Sequence, residues 1–300
     1  MMSFSRRNIL ATGFAGLAAA ISTKSLANAA TPESNPNPQN ATQLASTINP
    51  QGEFAGKVVL ITGATSGIGK TTAEAFAQQG AKVFFCGRRE NLGAQVERDI
   101  RARGGEATYM RADVRKAEDV KGFVDACVAK YGRLDIAFNN AGIDYPPQPI
   151  ADTAIAEFDD LMNTNARGVF LGMKYEIPHM LKSGGGSIIN IASIGGHRAF
   201  PNIVGYGASK AAVIHMTKMA AQEYGKKIRI NAVSPGAINT PMLARVKRDW
   251  KVTEEQLLAP YPSKRAGTTA EVANMVLWLA SDAASYVSGA NLSIDGGGLG

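Results

Sequence analysis

Val58-Val59-Leu60-Ile61-Thr62-Gly63-Ala64-Thr65-Ser66-Gly67-Ile68-Gly69 is the stretch on which the fold turns. Four consecutive apolar residues, mostly β-branched, suit a strand buried on both faces, as in a parallel sheet. A glycine turn follows, and then a helical stretch to Gln79. Strand, glycine turn and helix in that order make a seat for a pyrophosphate. Glycine lets the backbone approach the anion closely, and the helix start offers N–H groups with no partner inside the helix. The spacing Gly-x-x-x-Gly-x-Gly departs from the usual dinucleotide fingerprint.

Toward the N-terminus, Thr31 to Gly52 is rich in Pro, Asn, Gln, Ser and Thr and has no hydrophobic period. It reads as a tether, so residues 30–52 are expected to be a flexible linker and organised structure to begin at Lys57. Residues 1–29 read as a targeting segment. Arg6 and Arg7 form a twin arginine, Ala11 to Ile21 is a mildly apolar run, and Ala27-Asn28-Ala29 is a small-x-small cleavage site. The run is too short to span a bilayer comfortably, so no stable membrane insertion is expected after processing. This signal predicts export of the folded protein to the periplasm by the twin-arginine route; the chain would be cytoplasmic if the signal is not used.

Toward the C-terminus the same alternation repeats. Strands are expected at Lys82 to Cys86, Ala107 to Arg111, Leu134 to Phe138, Ser187 to Ile191, Ile228 to Val233 and Asn291 to Ile294. The helices between them are Glu90 to Arg103, Ala117 to Lys130, Glu157 to Leu181, Val204 to Tyr224 and Ala270 to Ala280. Such units predict an α/β fold, a doubly wound Rossmann sheet of seven mostly parallel strands with helices on both faces, forming one domain over residues 53–300.

The 300 residues are 45% hydrophobic and 19% charged, enough for one full core. Losing residues 1–29 removes Arg6, Arg7 and Lys24 and no acid, lowering the formal charge from +7 to about +4. Neither a basic stripe with stacking aromatics nor a nucleic-acid motif is present, so no nucleic-acid partner is expected. Cys86 and Cys127 make no disulfide framework, and their expected places at opposite edges of the sheet keep them from bridging. His179, His197 and His215 lack ligand spacing, so no metal site is expected.

One candidate for chemistry is Tyr206-Gly207-Ala208-Ser209-Lys210. Positions four apart share a helix face, and an ammonium near a phenol favours the phenolate. Upstream, Ser193 ends an apolar run. With Thr62 to Gly69, Asp113-Val114, Asn139 to Gly142, Asn165, Ser234-Pro235-Gly236 with Thr240, and Asp295-Gly296-Gly297, the chain from Lys57 to Gly297 resembles a classical short-chain dehydrogenase/reductase.

That resemblance implies a hydride-transferring oxidoreductase acting on a small carbonyl or secondary alcohol. Tyr206 would exchange the proton, and Lys210 would lower the phenol's pKa and bond the nicotinamide ribose. Ser193 would hold the reacting oxygen, and Asn165 a water linking Lys210 to solvent. Asn165 also suits a plain helix-interior amide. For the cofactor, Gly63, Ser66, Ile68 and Gly69 would take the pyrophosphate, and Asp113 and Val114 the adenine. Asn139 and Ala141 would form the adenosine side, and Pro235, Ile238 and Thr240 would meet the carboxamide and diphosphate. Asp113 equally suits a helix N-cap. Met242 to Lys264 would be the substrate lid, and the two long helices after the fourth and fifth strands would build a homodimer or homotetramer.

Sites selective for NAD place a carboxylate after the second strand. Here stands Cys86-Gly87-Arg88-Arg89, without an acid. Arg88 offers a fork to a 2′-phosphate, which favours NADP(H), with NAD possible; both arginines also suit surface charges. The rival readings are a non-catalytic nicotinamide-nucleotide sensor on the same fold, an NAD-dependent dehydrogenase, and an extended-type epimerase or dehydratase, for which the region after Val233 is too short.

Overall fold

All four residues of β1 (Val58–Ile61) are buried, in a computed structural model that describes residues 48–299. The proposed export signal and the tether through residue 47 lie outside those residues. Alternate side chains of β1 face opposite layers: Val59 and Ile61 join one core, Val58 and Leu60 the other. Burying a large aliphatic side chain is worth about 1.5–3 kcal/mol, which is why a continuous apolar run, rather than an alternating one, marks this strand.

Seven strands form one sheet in the order β3-β2-β1-β4-β5-β6-β7. The others are β2 (Lys82–Gly87), β3 (Glu106–Arg111), β4 (Ile136–Asn139), β5 (Gly186–Ile191), β6 (Ile228–Pro235) and β7 (Asn291–Ile294). Every pairing is parallel. α1 (Gly67–Gln78), α2 (Glu90–Ala102) and α9 (Thr269–Ala280) cover one face through Phe76, Ile100 and Val276. α3 (Ala117–Tyr131), α5 (Gly168–Lys182) and α6 (Val204–Tyr224) cover the other through Phe123, Met180 and Val213. The strand order reverses between β1 and β4, and at such a point the helices diverge and leave a crevice beyond the strand ends.

Two expectations need adjustment. Organised structure begins before Lys57: Asn49 N–H donates to the Gln78 carbonyl at 2.8 Å, and Phe54 is buried with its ring centroid 4.9 Å from that of Phe76. Apolar side chains at the end of the polar tether cover the C-terminus of α1. The single helix expected over Glu157 to Leu181 is α4 (Ile155–Leu161), a π segment (Met162–Arg167) and α5. Cys86 and Cys127 are both buried in the same core layer, where burial pushes each thiol up to about 12.

The lid region forms two short helices, α7 (Pro241–Asp249) and α8 (Glu254–Leu258). No helix among the described residues is long and apolar enough to cross a membrane.

Beneath the strand ends lies a buried polar row. Asn139 Nδ2 donates to Glu176 Oε2 and to Asn190 Oδ1, both at 3.0 Å, and Asn190 Nδ2 donates to Thr217 Oγ1 at 3.0 Å. Glu176 is 1% exposed and has no ion-pair partner among the described residues, and burial pushes its carboxyl up to about 8. The native state therefore holds a proton that the unfolded chain, with an ordinary carboxyl, releases. Its contribution is fully present below the unfolded pKa and is lost as pH rises toward 8, by up to about 1.4 kcal/mol per pH unit. Denaturant unfolding at pH 5 and pH 8 should show Glu176→Gln gaining stability over the wild type at pH 8 and little at pH 5; an equal effect at both would refute the neutral carboxyl.

Candidate active site

The crevice is a cavity of about 780 Å³. Its nucleotide end is shaped by glycine. Gly63 has φ +70°, and a Cβ on it would lie 2.7 Å from Ala141 Cα; Gly67 has φ +56°. α1 starts here with no side-chain cap and no acid in its first turn, so its free N–H groups and positive end meet the cavity. The turn thus fits a diphosphate that no side chain could displace. Ile68 lines the same wall. Gly69 does not reach the cavity; a Cβ there would collide with the Asn140 carboxamide, so it serves the packing of α1 onto the strand ends.

The two arginines after β2 divide their tasks. Arg89 NH2 donates to Thr65 Oγ1 at 2.7 Å and Ser66 Oγ at 2.6 Å, which docks it on the glycine turn. Arg88 lines the cavity, exposed and without a hydrogen bond or ion pair among the described residues.

Asp113 and Val114 line the adenine side. The Asp113 carboxylate is held by Arg115, with NH2 2.5 Å from Oδ2 and Nε 3.0 Å from Oδ1, and this bonding holds its pKa below the usual range. It does not cap α3, whose N-cap is Lys116. Arg115 reaches on to Asp160 at 2.8 Å, and Asp160 accepts the Tyr145 hydroxyl at 3.0 Å. A chain of charged bonds thereby joins the adenine side to Tyr145 on the cavity wall, a connection that sequence reasoning missed.

Asn139 needs correction. It ends β4 with its side chain turned into the buried row beneath the cavity, because side chains alternate along a strand and its register partner Asn190 faces the same way. The next residue, Asn140, lines the cavity instead, with Ala141 and Gly142.

At the other end stand Ser193, Tyr206 and Lys210. Ser193 follows β5 in extended conformation and its Oγ accepts the Gly195 N–H at 3.1 Å. Burial raises the Tyr206 pKa and the facing Ser193 hydroxyl lowers it. Lys210 is 4% exposed; its Nζ lies 5.8 Å from the Tyr206 ring centroid and donates to the Ile191 carbonyl at 3.1 Å. Burial lowers its pKa to about 8. On balance the phenol is raised, with burial the largest cause and the Ser193 hydroxyl opposing it.

Asn165 sits in the π segment, wholly buried. Its Oδ1 accepts the Ile143 N–H at 2.8 Å, and its Nδ2 donates to the Ile143 carbonyl at 3.0 Å and Ser209 Oγ at 3.1 Å. The side chain is a clamp between the loop after β4 and the helix carrying Tyr206 and Lys210, and it does not line the cavity. An extra residue in the helical turn aims this amide, a use to which π segments are often put.

Pro235, Ile238 and Thr240 line the wall after β6. Thr240 caps α7, its Oγ1 accepting the Leu243 N–H at 3.2 Å. The lid is fastened by Arg245 NH2 to Asp144 Oδ1 at 2.5 Å, and Trp250 and Tyr261 line the cavity beside it. His197 is exposed and turned toward Ser234 and Asn291, away from the cavity. No cluster of metal-ligating side chains occurs among the described residues.

A family model described as enoyl-(acyl carrier protein) reductase matches residues 63–298. The 2,5-dichloro-2,5-cyclohexadiene-1,4-diol dehydrogenase of Sphingobium indicum is 40% identical over 247 residues, covering 82% of this chain and 98% of the relative. Cyclohexanol dehydrogenase of an Acinetobacter species is 41% identical over 245 residues, 81% of this chain and 95% of that one. Among solved structures, a short-chain type dehydrogenase/reductase from Mycobacterium marinum superposes with TM-score 0.78 at 38% identity, covering 82% and 96%. ElxO with NADP bound gives 0.76 at 36% identity, covering 81% and 98%. An NAD+-bound xylitol dehydrogenase gives 0.77 at 33%, covering 82% and 100%. The chain belongs to the short-chain dehydrogenase/reductase family.

Proposed function

We propose that this oxidoreductase interconverts a carbonyl and a secondary alcohol on a ring or similar apolar frame, with Tyr206 as the proton donor in reduction and acceptor in oxidation. The observation that carries the reading is the phenol of Tyr206 facing the Ser193 hydroxyl, with the buried Lys210 beside it, at the end of a cavity whose other end is a glycine cradle. When bound, a nicotinamide nucleotide supplies or removes hydride. Ser193 holds the reacting oxygen against the phenol, which fixes the geometry that proton transfer needs. Lys210 keeps a positive charge near that oxygen, and the lid residues Trp250 and Tyr261 keep water out. The ring substrates in the names of two relatives agree with the apolar wall of Phe200, Ile203, Leu243 and Val246. In a spectrophotometric assay of cyclic ketones and alcohols, Tyr206→Phe should lose about 10²–10⁴-fold in turnover while still binding nucleotide. Turnover close to wild type would remove Tyr206 from the chemistry.

The preferred cofactor is NADP(H). Arg89 is committed to the glycine turn and Arg88 is left facing the cavity, so the site after β2 offers a phosphate one planar cation and no competing acid. Solved relatives hold NADP in one case and NAD in another, so the fold admits both. Arg88→Ala should weaken NADPH binding while sparing NADH; a wild-type preference for NADH overturns the assignment.

Export and assembly complete the proposal. The twin arginine at Arg6-Arg7 supports a periplasmic protein. Phe170 and Leu181 on α5 and Met219 on α6, each 42–53% exposed, support a homodimer or homotetramer. Light scattering on periplasmic extract should find a dimer or tetramer mass, and Arg6→Lys with Arg7→Lys should empty that extract; a monomer, or undiminished export, rejects the corresponding half.

A further inference from the structure

The charges around the cavity nearly all have partners. Asp113 is closed by Arg115 and Asp144 by Arg245. Arg89 donates to the hydroxyls of Thr65 and Ser66, and Lys210 to a main-chain carbonyl beside Tyr206. Among the described residues two further cations on the cavity wall remain, neither paired with an acid: Arg88 after β2, on the nucleotide side, and Arg198 after β5, on the substrate side.

Arg198 belongs to the loop that carries Ser193. Its main-chain N–H donates to the Ile194 carbonyl at 2.9 Å, closing the turn that begins at Ser193. A Cβ on Gly195, three residues before it, would lie 3.4 Å from Tyr206 Cε1, so the loop rests against the reacting phenol. The guanidinium carbon stands 5.5 Å from the Phe200 ring centroid. The only polar contact of its side chain among the described residues is NH1 to the Gly298 carbonyl at 3.4 Å, at the outer limit of a hydrogen bond. Burial raises the pKa of Tyr261, and the charge of Arg198 opposes that rise. Arg198 thus lines the same cavity as Tyr206 and Tyr261, with four of its five N–H donors unused among the described residues. Around it the wall is apolar: Phe200, Ile203, Leu243, Val246 and Leu257.

We propose that the substrate is a cyclic or similarly apolar carbonyl compound bearing a carboxylate, and that Arg198 receives that carboxylate while the carbonyl or alcohol oxygen meets Tyr206. This rests on the oxidoreductase reading above. A guanidinium matches a carboxylate two bonds at a time, and beside an apolar wall a planar anion is the ligand that satisfies those donors. Because Arg198 is exposed at the cavity rim, screening holds the effect to about tenfold.

The test compares 4-oxocyclohexanecarboxylate with its methyl ester, the same ketone without the charge. Wild-type enzyme should favour the carboxylate by about tenfold in kcat/KM, mostly through KM, and Arg198→Gln should bring that ratio to about one. A wild-type ratio near one, or a ratio that survives Arg198→Gln, overturns the assignment. Binding is read separately, by titrating the emission of Trp250 on the cavity wall with cyclohexanecarboxylate, which cannot react, and with its methyl ester. If neither ketone is turned over but the carboxylate binds more tightly than the ester and Arg198→Gln abolishes the difference, the oxidoreductase reading fails and the anion site stands. If binding shows no such difference, the anion site falls whatever the turnover.

Discussion

The hydroxyl of Thr62 accepts two main-chain N–H groups, from Asn140 at 3.0 Å and Ala141 at 3.1 Å. These bonds tie the end of β1 to the chain leaving β4, at the place where the sheet order reverses. Asn140 answers with its own carboxamide, donating to the carbonyls of Thr62 and Gly63 at 3.1 Å each. The cradle follows from this joint. Gly63 lies so close to Ala141 that no side chain fits, and Gly69 lies equally close to Asn140, so the start of α1 is drawn down onto the joint with its N–H groups free. The anion seat is therefore a consequence of how two strand ends are bonded, and charged side chains contribute little to it.

A second joint, Asn165, makes the other half of the site. One amide satisfies both main-chain groups of Ile143 and the hydroxyl of Ser209, which lies between Tyr206 and Lys210 in sequence. Leaving a buried donor or acceptor without a partner costs about 1–3 kcal/mol, so the three bonds set the distance between the loop after β4 and α6. Lys210 and the loop at Gly142 consequently share one position: a Cβ on Gly142 would lie 3.3 Å from Asn165 Oδ1 and 3.5 Å from Lys210 Nζ.

The seven strands and the Tyr206–Lys210 pair were legible in the sequence because they rest on local signals, apolar runs and a spacing of four along a helix, whereas Ser193 was joined to that pair through the family resemblance. The π segment was not, since one extra residue in a turn leaves the hydrophobic period nearly unchanged over a long helix. Asn139 was misplaced for a similar reason. Two adjacent asparagines at a strand end face opposite ways, and only the register against Asn190 says which faces the cavity. The pairings of Arg89 with Ser66 and Arg115 with Asp160 join residues 23 and 45 apart, distances over which sequence carries charge but no partner. Arg88 was already the residue favoured in the sequence; what the structure adds is the partner that occupies Arg89.

Burial moves the two groups of the catalytic pair toward neutrality from opposite sides, raising the phenol of Tyr206 and lowering the ammonium of Lys210. Each shift reflects the cost of a charge withdrawn from water. The phenol consequently keeps its proton, as a donor requires; the Ser193 hydroxyl opposes the rise in its pKa, and nearby negative charges add to it. Asp144 is one of them, and its negative charge raises the phenol's pKa. Arg245 on the lid helix stands 2.5 Å from that carboxylate. A cation so placed opposes the field of Asp144, and it is carried by α7. The helix that carries Arg245 to the cavity wall thus also carries the counter-charge of Asp144, so the lid region and the electrostatics around the phenol meet in one ion pair.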